Sequence, residues 1–74
     1  MRYMNLIFCE VLRQIRKERF FTQEDLAEAA GINEKYYGRI ERGESSPTLT
    51  VFFLLCSALD ISPKKFMELM EKKE

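Results

Sequence analysis

The stretch "DLAEAAGINEKYYGRIERG", residues 25–43, decides how this chain folds. A short apolar segment closes on Ala29-Ala30-Gly31, and a second opens at Asn33 and carries Tyr36, Tyr37, Gly38, Arg39 and Arg42. Glycine reaches the left-handed conformation that ends a helix, and asparagine is a favoured N-cap for the next one. Only Gly31, Ile32 and Asn33 separate the two segments, so the chain must turn sharply there and cannot form an antiparallel hairpin.

The same punctuation extends in both directions. Thr22 is a good N-cap with Asp25 three residues on, which starts a helix at Gln23 and turns Leu26, Ala27 and Ala30 inward. Upstream, residues from about Tyr3 to Arg19 place Phe8, Val11, Leu12 and Ile15 on one helical stripe. Downstream, Gly43 closes the third helix, "ESSP" is a loop, and Thr48 caps a fourth helix over roughly 49–59. "DISP" repeats the device, with Ser62 as N-cap and Pro63 at the first position of a helix running to about Lys72. No segment alternates apolar and polar residues. The expectation is an all-α, compact five-helix bundle forming one domain over 1–74.

Composition removes several classes of function. The 74 residues are 46% apolar and 32% charged, with three glycines and two prolines, so nothing points to disorder. There is no histidine, which excludes His-based acid–base catalysis, and no CxxC pair to hold structural zinc. Cys9 and Cys56 read as small buried apolar residues. No glycine-rich phosphate loop exists, and the serines lack a recognisable base. We expect no enzyme, no cofactor, no metal and no small-molecule ligand. The longest apolar run, "VFFLLCSAL", is too short to span a membrane, and the first residues make a poor signal peptide, so the expected location is cytoplasmic. Net charge is zero, yet it is sorted: residues 1–20 carry five cations against two acids, and Glu24, Asp25 and Glu28 then cancel the surplus.

Two helices meeting at a three-residue turn form a helix-turn-helix, here residues 23–42, whose second helix is the one that enters a major groove. A helical wheel of the third segment puts Tyr36, Tyr37 and Ile40 in one arc of roughly 100°. Glu34, Lys35, Gly38, Arg39 and Arg42 fall nearly opposite. Gly38 costs about 1 kcal/mol of helix stability against alanine. Close approach of its backbone to a base edge or phosphate would offset that. The alternative is an ordinary solvated face.

"FTQEDLAEAAGINEKYYGRIERGESSPTL" resembles the phage repressor and Cro-type, or Xre, helix-turn-helix family. The resemblance lies in a Thr-Gln-x-x-Leu-Ala block, a Gly-hydrophobic turn, the tyrosine pair and Ile-Glu-Arg-Gly, and runs from about Leu12 to Phe66. It implies a lambda-repressor-like DNA-binding domain with double-stranded DNA as partner. By that resemblance, Gln23 reaches a phosphate at the positive end of its helix. Asn33, Glu34, Lys35 and Arg39 face the major groove, Arg39 suited to guanine and Glu34 to the cytosine amine. Tyr36 matches a tyrosine near the DNA backbone, and Arg42, Ser45, Ser46 and Thr48 fix phosphates on the far strand. Arg16 and Glu41 match an internal ion pair. Two positions depart from the pattern. Phe20 stands where the family has glycine, so the turn there is expected to differ. Tyr37 replaces an aliphatic residue.

The fourth helix carries more apolar residues than one face needs. The family pattern buries Leu49, Phe52, Leu55, Ala58 and Leu59, which leaves Val51, Phe53 and Leu54 to be covered. The last helix adds Phe66, Met67, Leu69 and Met70. We expect a homodimer through about 49–72, with Val51, Phe53, Leu54, Phe66, Met67 and Met70 at its interface, bound to two half-sites of a near-palindromic duplex. The expected function is sequence-specific transcriptional regulation, with a narrower likeness to controller proteins of restriction–modification systems. Small phage or plasmid repressors and antitoxins are the near alternatives. A protein-interaction module that has lost DNA contact is the rival from another class.

Overall fold

Apolar side chains from five short helices converge on one core. The computed structural model describes residues 2–73 and contains α1 (Arg2–Glu18), α2 (Gln23–Ala30), α3 (Glu34–Glu41), α4 (Leu49–Leu59) and α5 (Pro63–Lys73). Helix α2 packs on α3 and α4, α1 packs on α3 and α5, and α4 touches α5. Phe8, Val11, Leu12 and Ile15 of α1 meet Leu26, Ala27 and Ala30 of α2, with Tyr37, Ile40, Leu55, Leu59 and Phe66 from the later helices. Phe8 stacks against Phe66 at 5.0 Å between ring centres, and Phe52 meets both edge-on or nearly so. No helix among the described residues is long and apolar enough to cross a membrane.

Local chemistry sets the helix ends. The Thr22 hydroxyl accepts from Asp25 N at 3.0 Å while the Asp25 carboxylate accepts from Thr22 N at 3.3 Å, a reciprocal capping box. Asn33, Thr48 and Ser62 each accept a backbone N–H three residues on, at 3.0–3.1 Å. Gly31 is left-handed (φ 73°), and its N–H and that of Ile32 bond back to Glu28 and Ala27 carbonyls, closing α2.

Two arginines of α1 and Arg19 just past its end tie the remaining elements down. Arg13 Nη1 donates to the Glu41 carbonyl at the end of α3 at 3.1 Å, and Arg19 Nε donates to the Leu59 carbonyl at the end of α4 at 2.9 Å. Arg16 joins α1 to both Phe21 O and the Glu41 carboxylate. Much of the cationic surplus of the first twenty residues is therefore spent on orphaned helix-end acceptors inside the molecule.

Four expectations need correcting. Phe20 does adopt the left-handed conformation (φ 62°), so the turn keeps the shape a glycine would give it, with the ring 94% exposed. Phe66 is fully buried against Phe8 and Phe52 of its own chain, which leaves it no surface for a partner. Leu49, expected in the core, is 69% exposed because it occupies the first position of α4, at the rim. Gly38 is buried, not open: an added Cβ would lie 3.1 Å from Arg42 Nη1 and 3.9 Å from Gln23 Oε1, so side chains of the same molecule cover it.

Candidate nucleic-acid interface

Helix α3 is anchored from beneath by a buried polar cluster. Tyr37 and Ile40 are sunk in the core, and Glu41 beside them is 2% exposed, a carboxylate that must be fully partnered to be tolerated there. It is. Oε1 accepts from Arg16 Nη2 at 2.9 Å and Gln23 Nε2 at 3.1 Å, and Oε2 accepts from Arg16 Nε at 2.9 Å and from the Tyr37 hydroxyl. No buried side-chain polar atom among the described residues lacks a partner.

Burial pushes the Glu41 carboxyl up, but donors from Arg16, Tyr37 and Gln23 outweigh it and hold the group below its ordinary range. The Arg16 guanidinium is raised chiefly by its bond to Glu41. Burial first, and the bond to Glu41 second, raise the Tyr37 phenol. The cluster thus stays as carboxylate, guanidinium and neutral phenol across the physiological range. It joins α1 to the start of α2 and the end of α3, the ends of the two motif helices that lie away from their shared turn.

With that side fixed, the opposite side of α3 faces solvent. Glu34, Lys35 and Arg39 are exposed, and Arg42 just beyond the helix is exposed too. Arg39 lies over the Tyr36 ring, 5.8 Å from its centre, which holds the guanidinium close to the helix. Asn33 uses Oδ1 to cap α3 and keeps its amide hydrogens for an outside acceptor. Thr48 likewise accepts from Val51 N and retains a hydroxyl proton.

The remaining candidates have partners that sequence reading did not supply. Gln23 is half-buried, and one of its two Nε2 hydrogens is committed to Glu41, leaving the other free to donate. Ser46 Oγ donates to Asn5 Oδ1 at 2.8 Å, linking the loop to α1, and Ser45 is half-buried. Arg42 is paired with Glu44 at 2.9 Å. Asn5 and Glu44 could not be found from motif spacing, since each matters only through a partner that the fold brings to it. Tyr37 lies in the core, and the Glu41 partner of its hydroxyl leaves no mark in the spacing.

The proposed dimer residues divide in the same way. Phe53, Leu54 and Met67 are exposed, while Val51 and Met70 are half-buried and pack on this chain's own core. A groove of about 770 Å³ runs between α1, α4 and α5, floored by Phe8 and Phe52 and flanked by Met4, Phe53, Met67 and Met70. Among the described residues, no cluster of His, Cys, Asp or Glu is placed to hold a metal ion. Both cysteines are free and buried, with burial pushing the Cys56 thiol up to about 11.

The family model described as "Helix-turn-helix" matches residues 12–66. Over 61 residues the chain is 36% identical to the control protein C.SmaI of Serratia marcescens, covering 82% of this chain and 73% of that protein. It is 36% identical over 56 residues to the transcriptional regulator SutR of Escherichia coli, covering 76% of this chain but only 32% of that longer protein. The restriction–modification controller protein C.Esp1396I, solved as a tetramer in complex with its natural operator, superposes with a TM-score of 0.89 at 30% identity. That alignment covers 95% of this chain and 92% of the controller. The matched stretch contains every helix of the motif and the polar cluster beneath it, and the chain belongs to the Xre-type helix-turn-helix family.

Proposed function

We propose that this chain is a sequence-specific DNA-binding transcriptional regulator of the restriction–modification controller kind, acting as a homodimer on a near-palindromic operator. One observation carries the reading: α3 is anchored by Tyr37, Ile40 and the Glu41 cluster so that Glu34, Lys35 and Arg39 stand exposed together on its outer side. Such a helix can lie in a major groove with Arg39 toward a guanine edge and Lys35 toward a base or phosphate. Asn33, Thr48, Arg42 and the spare hydrogen of Gln23 are donors for backbone phosphates around it. Regulation in this reading acts through protein concentration and dimerisation.

A second copy is the proposed occupant of the α1–α4–α5 groove. Its rim carries Lys64 beside Glu68 and Glu71, charges that a two-fold axis can set against each other across an isologous contact. Leu49, Phe53 and Met67 supply the apolar area.

The test is selection of bound duplexes from a random pool, followed by salt titration. Two inverted half-sites about 34 Å apart, with affinity falling steeply as salt rises, are the expected result. Absence of duplex binding at low salt, with a different protein co-purifying, would overturn it.

A further inference from the structure

Resting on the reading just given, in which Arg42 meets DNA phosphate, we infer that Glu44 is an internal competitor for that phosphate, a carboxylate that must leave Arg42 each time the chain docks. Arg42 Nε donates to Glu44 Oε2 at 2.9 Å and Nη2 donates to Oε1 at 3.3 Å. Those two donors form the fork with which guanidinium binds a planar or tetrahedral anion in bidentate fashion, and Glu44 occupies it.

The rest of the guanidinium is seated as well. Nη1 lies 3.1 Å from the place a Gly38 side chain would begin, so the bare backbone of Gly38 provides the seat. Glu44 is positioned by the backbone: it follows left-handed Gly43 (φ 78°), and its N–H donates to the Arg39 carbonyl at 2.8 Å. The bond from Arg42, with added attraction from Arg42 and Arg39, holds the Glu44 carboxyl below the ordinary range, so it is an anion at neutral pH.

The pair is built to open. Both side chains are 55% exposed, and exposed ion pairs are weakly held. A phosphate arriving at the fork would bring a second anion against the carboxylate, and one of the two has to go. The effect is to lower the sequence-independent attraction of the chain for DNA while the outward groups of α3 are left unaltered. That matches a protein whose formal net charge is zero.

A double-mutant cycle tests this, read by anisotropy of a labelled duplex carrying the selected site and of a random-sequence duplex of equal length. The full chain, Glu44→Gln, Arg42→Ala and the double variant are compared, with circular dichroism melts showing each folded. Glu44→Gln should tighten both duplexes by about threefold to fivefold, the upper part of what an exposed pair is worth. In the Arg42→Ala background the same change should shift affinity by less than about 1.5-fold, because the contested cation is gone. Equal tightening with and without Arg42 would mean repulsion at a distance and would overturn the inference. So would weaker or unchanged binding by Glu44→Gln, the sign expected of a carboxylate that aligns Arg42. If the unaltered chain binds neither duplex at low salt, the functional reading falls and takes this one with it.

Discussion

The Tyr37 hydroxyl donates to Glu41 Oε2 one turn further along α3, so the recognition helix carries both members of a buried contact on its inner side. Arg16 and Gln23 then reach the same carboxylate from α1 and α2. One carboxylate thereby fixes how the two motif helices sit on each other. Glu41→Ala should cost roughly 3–5 kcal/mol, the scale for breaking a buried pair, because it strands a guanidinium, a phenol and an amide together. That is a large share of the stability of a domain this size. Urea denaturation measures it, and a loss under about 1 kcal/mol would mean the cluster is not holding the motif.

The same cluster sets a pH dependence. Glu41 is held below its ordinary range in the folded chain, so its contribution is complete above the unfolded carboxylate value near 4.3 and is lost as pH falls through the lower folded value. Tyr37 is raised, so its contribution is complete below the unfolded phenol value near 10 and is lost as pH rises beyond it. Thermal melts should show a plateau between those limits, a fall in acid and a fall in alkali. A Tyr37→Phe variant should show less of the alkaline fall.

Phe20 offers a gain in stability. Its left-handed backbone costs an L-residue about 1–2 kcal/mol, and its ring, 94% exposed, repays little through packing. Glycine removes the strain but adds freedom to the unfolded chain, an offset of about 0.4–1 kcal/mol. Phe20→Gly should therefore stabilise by about 0.5–1 kcal/mol, raising the melting temperature by a few degrees. A lower melting temperature would show that the ring packs in a way its exposure does not suggest.

Arg39→Ala and Lys35→Ala should separate base reading from charge. Arg39→Ala is expected to relax preference at one base position per half-site, at a cost of about 1–3 kcal/mol on the selected duplex. Lys35→Ala, if its contact is to phosphate, should weaken all duplexes alike and reduce the salt slope by about one per half-site. Binding titrations against single-base variants of the site give both answers.

Met67→Lys places a charge in the α1–α4–α5 groove without touching the core, since Met67 is 51% exposed. Sedimentation velocity should show the variant as a monomer at concentrations where the unaltered chain is dimeric, with its melting curve at high dilution unchanged.

Much of the bundle was legible because the signals that mark helix ends are local. Thr22, Asn33, Thr48 and Ser62 act on N–H groups three residues away, and Gly31 acts on its own backbone, so each could be read in place. Phase along α4 was not legible. The segment "LTVFFLLCSAL" is apolar almost all round, which leaves no polar face to orient it, and spacing alone does not show that Leu49 lies at the rim. Phe66 is hard to place for a related reason, since α5 offers several large apolar groups and spacing does not say which one the α1 and α4 rings will enclose. Glu34, Lys35 and Arg39 on the outer side of α3 followed from periodicity, while Gly38 of the same arc is covered by Arg42 and Gln23. The surroundings did not follow, because Gln23 and Glu41, or Ser46 and Asn5, meet only once separate helices have packed.

Arg13 of α1 and Arg19 just past its end, which grip the last carbonyls of α3 and α4, have one more effect. An eight-residue helix standing alone frays in water, whereas here the final turn cannot loosen unless α1 lets go first. Amide hydrogens near Glu41 and Leu59 should therefore exchange only in rare whole-molecule openings, at the same rate as one another. The reading surface is then all-or-nothing: a chain either presents it complete or not at all, with no half-formed version to capture DNA loosely.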